Sequence, residues 1–282
     1  MRQPLLYILF SFIAFSISYL IAFLTEISLV KSAVLFAFII QWVLFIPAFL
    51  FKTEKFYDIS GSFTYISIIS YVCYQSYLLK GFNLGNLILV FFIGFWAVRL
   101  GSFLFLRIHK AGEDKRFRLI KRSPTQFFMT WTLQGMWVSL CSACALTAMA
   151  SDQGLIINNW FYIGSFLFLF GLAIEIIADY QKTIFRKDEK NKDNFIKTGL
   201  WALSRHPNYL GEIILWLGVS VISFSSLSDW QYITLISPIF TYLLLVHISG
   251  VRILESNGKK KWGHLKNYNE YIDKTPMLLF KW

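Results

Sequence analysis

Long apolar runs separated by short polar segments dominate the chain. They fall at about 5–25, 32–51, 62–79, 84–106, 126–150, 156–178, 207–227 and 230–250. Each is near the ~20 residues a helix needs to cross a bilayer, and none alternates apolar and polar positions as a barrel strand would. The pattern predicts an all-α fold, a polytopic membrane helix bundle of about eight transmembrane helices. The first run reads as a span and not as a cleavable signal, because it is too long for an h-region and has no clean small-x-small exit. Pro47 is the only proline in the middle of a run and predicts a kink. With no repeat, low-complexity linker or soluble stretch, residues 1–282 read as one integral membrane domain, with two N-terminal helices in 1–55 ahead of a core at 56–282.

Composition agrees. The chain is 56% hydrophobic, 19% aromatic and 15% charged, more apolar surface than a soluble domain can hide. Its net charge of +11 raises nucleic acid as a partner. The cations lie in loops between apolar runs, though, not along one continuous face, which argues against it. Seven Lys/Arg lie in 107–125, seven in 179–206 and seven in 251–282, while 151–159 and 228–230 hold none. That asymmetry places even-numbered connections and both termini in the cytoplasm. The Lys-, Ile- and Phe-rich composition points to a bacterial inner membrane over an endoplasmic reticulum. Cys141 and Cys144 form a C-x-x-C inside an apolar run with no second pair or neighbouring histidine, so they read as packing residues, as does Cys73.

The chemistry lies in polar residues that interrupt the runs. The stretch Gly199–Gly218, GLWALSRHPNYLGEIILWLG, brings Arg205 and His206 up to Pro207, a residue suited to the first position of a helix. Asn208 and Glu212, four apart, then share a face of that helix with Trp216 below them. A carboxylate at that depth is costly unless something uses it. Glu175, Asp179 and Arg186 share a face if the sixth helix continues, and form a second wall. Arg99 lies well inside the fourth run, where it needs a carboxylate, a cavity or an anion. Arg107 follows two turns later near the same face. The segment Lys110–Lys121 reads as a solvated positive-inside loop, and Ser123-Pro124 as a cap and first turn. Asp58 starts the third run, either as a helix cap or as a carboxylate at the mouth of the bundle, and Gly61-Ser62 permits close helix packing. His247 reads as a packing residue. The tail puts Tyr268 and Tyr271 on one side of an amphipathic helix, which suits interfacial anchoring and also a lid. Together these residues describe a cytoplasm-facing pocket for a polyanionic cofactor, with an apolar interior for a lipid-like substrate from the bilayer.

The stretch Gly199–Gly218 closely resembles the signature of the DUF1295 and steroid 5α-reductase-like membrane reductases, a group that includes the sterol C14 and C7 reductases. It is less closely similar to the isoprenylcysteine carboxyl and phospholipid methyltransferases, which also carry Arg-His-Pro before a membrane helix. The resemblance covers roughly 56–282 and is densest at 175–216, making 56–282 a reductase-like core. It implies NADPH as cofactor, held by Asp179, Arg186, Asn208, Tyr209, Glu212 and Tyr268, with Tyr271 beside them, Arg205 and His206 at the helix mouth, and Arg99 and Arg107 on an earlier helix. It also implies hydride transfer to a carbon–carbon double bond, with Asp58 as the acid at the substrate end. The tyrosine that steroid reductases pair with that acid is replaced by Trp96. The proton donor is thus unassigned, with Tyr57 and Tyr65 as reserves.

Two rival readings stand beside this one. An S-adenosylmethionine-dependent methyltransferase would need carboxylates but no phosphate site. A non-catalytic lipid or sterol binder would keep the apolar cavity without needing the arginines. A lipophilic small-molecule substrate from the bilayer and membrane lipids are the expected partners.

Overall fold

The polar breaks in the sequence become the helix ends. The computed structural model describes residues 2–281. Its helices are α1 (Arg2–Leu24), α2 (Ser28–Leu50), α3 (Tyr57–Lys80), α4 (Leu84–Ala111), α5 (Phe117–Ile120), α6 (Pro124–Ala150), α7 (Asn159–Lys187), α8 (Leu200–Leu203), α9 (Pro207–Ser223), α10 (Ile236–Leu243), α11 (Val251–Trp262) and α12 (Lys266–Lys274). No strand occurs among the described residues. The protein is therefore an all-α polytopic bundle.

Seven helical segments among the described residues are long and apolar enough to cross a membrane. The remaining predicted span, the third, is α3, which has the length at 24 residues. Its tyrosines and serines make it less apolar, and it packs between α2, α4 and α6. The last span is irregular: a 3-10 segment (Asp229–Leu235) leads into α10, a π-helical turn (Leu244–Ile248) follows, and α11 carries the chain on to Trp262. Pro47 lies in the last turn of α2, which runs unbroken to Leu50, so it shapes the exit of that helix and not its middle.

The packing divides into two compact units, Met1–Phe161 with Ile222–Ser237, and Tyr162–Val221 with Pro238–Trp282. In the first unit α6 is central, packed against α1, α2 and α3. Every residue from Val138 to Ala150 is buried. That face-independent burial follows from composition: serine, cysteine, alanine and threonine let neighbouring backbones approach from all sides. Cys141 and Cys144 belong to this core, each 0% exposed. The Ser123 hydroxyl accepts from Gln126 N–H ahead of Pro124, so α6 starts with the cap its sequence specifies. At its other end Lys80 donates to the carbonyls of Ala150 and Ser151 at 2.7 and 2.8 Å, placing a cation on the negative end of the helix.

The second unit is built on the crossing of α7 and α9. A Cβ on Gly211 would stand 2.6 Å from the Gly171 carbonyl oxygen and 2.7 Å from the Glu175 backbone nitrogen. One on Gly218 would stand 2.5 Å from the Phe168 backbone nitrogen. Gly211 and Gly218 are seven apart, two helical turns, so they bring the two backbones into contact along a single line.

Candidate functional site

In the second unit α7 runs unbroken to Lys187, so Glu175, Asp179 and Arg186 share the face their spacing requires. Glu175 is 2% exposed and Asp179 7%, whereas Arg186 stands in the exposed last turn. Opposite them α9 begins at Pro207. The Asn208 amide donates to the Asp179 carboxylate at 3.4 Å, and Glu212 lies buried one turn deeper. Gly211 makes this possible, because the backbones of α7 and α9 touch between Asn208 and Glu212.

The segment leading into α9 is fixed by its own side chains and by the tail. Trp201 donates to the Ala178 carbonyl at 3.1 Å, with the Lys182 ammonium 4.4 Å above its ring. Gly199 has φ +62, a conformation that favours glycine, and leaves room for Gln181, whose carbonyl accepts from Leu200 N–H at 3.0 Å. The Tyr271 hydroxyl donates to the Trp201 carbonyl at 2.7 Å. Arg205 N–H donates to the Pro276 carbonyl at 2.9 Å, and the Ser204 hydroxyl to the Leu278 carbonyl at 2.7 Å. Phe195 packs against Trp262, Tyr268 and Tyr271, with centroids 5.8, 4.9 and 5.4 Å away. Tyr268 and Tyr271 thus sit on one side of α12 and lock it onto the 188–206 segment. Burial pushes both phenols above their ordinary range.

Arg205 and His206 share one carboxylate, Glu255 of α11. His206 Nε2 is 2.7 Å and Arg205 Nε 3.4 Å from Glu255 Oε1. Arg205 Nη1 also donates to the Ile272 carbonyl at 3.0 Å. The His206 ring lies flat on Tyr209, centroids 5.8 Å apart and planes 11° from parallel. Burial holds His206 below the usual imidazole range, with the Glu255 hydrogen bond pulling the other way. The sequence reading missed Glu255 as a partner. The acid lies 49 residues downstream, beyond the π-helical turn, and no local spacing signals it.

The first unit holds Tyr57, Asp58, Tyr65, Trp96, Arg99 and Arg107. Asp58 occupies the first turn of α3, whose N-cap is Phe56 with no side-chain hydrogen bond. It is therefore not the cap residue, though the positive end of the helix favours its charge there. It lies within the electrostatic reach of Arg116 and Arg107. The Tyr57 hydroxyl donates to the Thr130 carbonyl at 3.0 Å and its ring packs on Phe117 and Trp131. Tyr65 is 1% exposed and meets Trp96 edge to face, with centroids 5.3 Å apart. Arg99 is half-buried in α4 and Arg107 exposed near its end. Gly61 stands directly against Gln134, and Gly101 against Ser62, so the Gly61-Ser62 pair does bring α3 close to its neighbours.

The segment after α4 is more ordered than a plain solvated loop. Buried Glu54 pairs with Lys121 and accepts from Asp114 N–H at 3.0 Å. Asp114 binds Arg116 through Nε at 2.9 Å and Nη2 at 2.5 Å. Arg116, held in this way, acts electrostatically on Asp58. The missed signal was the pairing of Glu54, just past α2, with a basic run 60 residues on. A cavity of about 1020 Å³ in this unit opens elsewhere, among the 24–27, 151–156 and 225–231 turns.

The chain is 27% identical over 192 residues to the "Probable O-methyltransferase ustE" of Ustilaginoidea virens, covering 56% of this chain and 66% of that one. It is 36% identical over 74 residues to "Steroid 5-alpha-reductase DET2" of Arabidopsis thaliana, covering 24% of this chain and 28% of that one. It is 35% identical over 65 residues to "3-oxo-5-alpha-steroid 4-dehydrogenase 2" of Macaca fascicularis, covering 23% and 26%. The aligned stretches span less than two thirds of each of these relatives. No solved structure matches the chain. The family model described as "Protein of unknown function (DUF1295)" matches residues 42–275, nearly all of the helical core. This chain belongs to the DUF1295 family.

Proposed function

We propose that the chain is a membrane-embedded, NADPH-dependent reductase of a carbon–carbon double bond in a lipophilic substrate, a steroid, sterol or other enone lipid. The observation that carries this reading is the Asp179–Asn208 contact, which unites the two segments the resemblance assigns to the cofactor. The partial similarity to two steroid 5α-reductases supports the oxidoreductase class. We place the enzyme in a bacterial inner membrane.

The residues fit the cofactor. Lys182, Arg186 and Lys187 at the end of α7 offer cations for phosphate, and the buried acids with Asn208 offer partners for ribose hydroxyls and a carboxamide. Bound NADPH supplies a hydride. Asn208 and Asp179 orient the ligand, Tyr209 and Tyr268 wall it from water, and Arg205 is a structural cation, since Glu255 and the Ile272 carbonyl already occupy it. Asp58 acts at the substrate end, kept near Arg116 by the Asp114 and Glu54 contacts, where it polarises or protonates the acceptor.

A methyltransferase using S-adenosylmethionine is the second reading. It is favoured by the longer alignment to the O-methyltransferase and by the grouping of Glu175, Asp179, Glu212 and Glu255 in one unit, an acidic set suited to a sulfonium. A non-catalytic lipid binder is the third. Incubating membranes that contain the protein with isotopically labelled NADPH and an enone sterol tests the choice: label on the substrate carbon is expected. Label transferred from methyl-labelled S-adenosylmethionine instead would replace the reductase with the methyltransferase.

A further inference from the structure

His206 is 5% exposed, its Nε2 is held by Glu255 at 2.7 Å, and its Nδ1 is buried with no hydrogen-bond partner among the described residues. A buried polar nitrogen left without a partner is costly, so such an atom points to a ligand. The identity of the missing group follows from the tautomer. A carboxylate accepts only, so Nε2 carries the proton it donates to Glu255. In a neutral imidazole Nδ1 is then an acceptor, and its partner must be a donor. The pyrophosphate bridge of a dinucleotide is fully ionised at neutral pH and offers none, and a phosphate monoester, with a second pKa of about 6, offers little. Ribose hydroxyls and amide or amino N–H groups do.

We propose that His206 is a specificity-determining acceptor whose Nδ1 takes a hydroxyl or N–H of the bound nucleotide, and that the Arg205–His206 pair does not hold phosphate. The inference rests on the nucleotide-binding reading above. Arg205 contributes by sharing Glu255, which keeps that carboxylate charged and accepting. Tyr209 fixes the ring plane by stacking. Charged or titratable groups acting on the imidazole are Glu255 from α11, Lys182 from α7 and Arg205 beside it, with Tyr209 from α9 against its face. Protonating His206 would turn Nδ1 into a donor and set it against the donor it holds.

Two substitutions separate the ring nitrogens. His206→Gln reaches the Nε2 position and keeps a donor for Glu255 but loses the Nδ1 acceptor. His206→Asn keeps an acceptor near Nδ1 and gives up Glu255. NADPH binding to purified protein, with thermal unfolding as a check on folding, should weaken roughly ten-fold in the Gln variant, the worth of about one hydrogen bond, and change little in the Asn variant. Wild-type affinity should fall on acidification relative to that of the Asn variant, a comparison that cancels titration of the ligand itself. Inorganic pyrophosphate should compete equally with both variants. Equal losses in both variants, or wild-type affinity that rises on acidification relative to Asn, would overturn the assignment. If S-adenosylmethionine binds in place of NADPH with the same Gln-versus-Asn contrast, the reductase reading fails and the His206 assignment stands. Binding of neither ligand overturns both.

Discussion

The Asn208 amide meets the Asp179 carboxylate at 3.4 Å, tying the first turn of α9 to the C-terminal third of α7. The contact is long for a hydrogen bond and weak by itself, so its value is positional. Asn208→Ala should weaken NADPH binding several-fold. Asn208→Asp should be worse, because it sets two carboxylates against each other where one amide had donated. Titration of both variants by the quenching of protein fluorescence on NADPH addition checks the order. Equal affinity in all three proteins would remove Asn208 from the cofactor's surroundings.

Asp58 is expected to act at the substrate end. A catalytic acid–base group supplies about 10²–10⁴ in rate, so Asp58→Asn should lower turnover by that factor while leaving NADPH affinity within a few-fold. Steady-state kinetics with direct binding distinguishes the two effects. Unchanged turnover would reduce Asp58 to a charge that suits a helix N-terminus.

Glu54 organises the segment that carries Arg116. Glu54→Ala would leave Lys121 and the Asp114 N–H without their partner, a change that costs up to about 3 kcal/mol at a largely buried pair. Thermal unfolding in detergent should register it. Asp114 adds a pH dependence. Burial raises its carboxyl, but the hydrogen bonds and charge of Arg116 outweigh that and hold it below the usual range. A carboxyl lowered on folding contributes stability above its unfolded pKa of about 4, and that contribution disappears as pH falls through the folded value. Asp114→Asn should flatten this acid limb of the stability profile.

The α7–α9 crossing sets a steric limit that can be tested with one carbon atom. Gly211→Ala would place a methyl 2.6 Å from the Gly171 carbonyl oxygen, where only backbone could yield. Overpacking of this kind costs about 1–3 kcal/mol. Gly94→Ala in α4 meets nothing within 4 Å and should be neutral or slightly stabilising. Matching unfolding temperatures for the two variants would contradict the packing described for Gly211.

Much of this was legible in the sequence, for physical reasons. Membrane spans announce themselves by apolar length, and the Ser123-Pro124 and Pro207 helix starts follow from local backbone chemistry. The shared face of Glu175, Asp179 and Arg186 needed only an unbroken helix. What escaped were pairings at long separation. Glu54 with Lys121, and His206 with Glu255, join residues that no periodicity relates, and Glu255 lies beyond the π-helical turn that ends at Ile248. The tyrosines of α3 also made one span less apolar than its seven companions, which composition over a whole run conceals.

The most direct measurement of the central claim is a side-by-side titration of purified wild-type protein with NADPH and with S-adenosylmethionine, repeated with Arg186→Ala and Arg122→Ala. A charge-assisted phosphate contact contributes roughly 1.5–3 kcal/mol, equivalent to about 10- to 150-fold in affinity. NADPH is predicted to bind in preference to S-adenosylmethionine, Arg186→Ala to weaken it by such a factor, and Arg122→Ala to leave it unchanged. Tight binding of S-adenosylmethionine without NADPH binding, or NADPH binding indifferent to Arg186, would contradict the account.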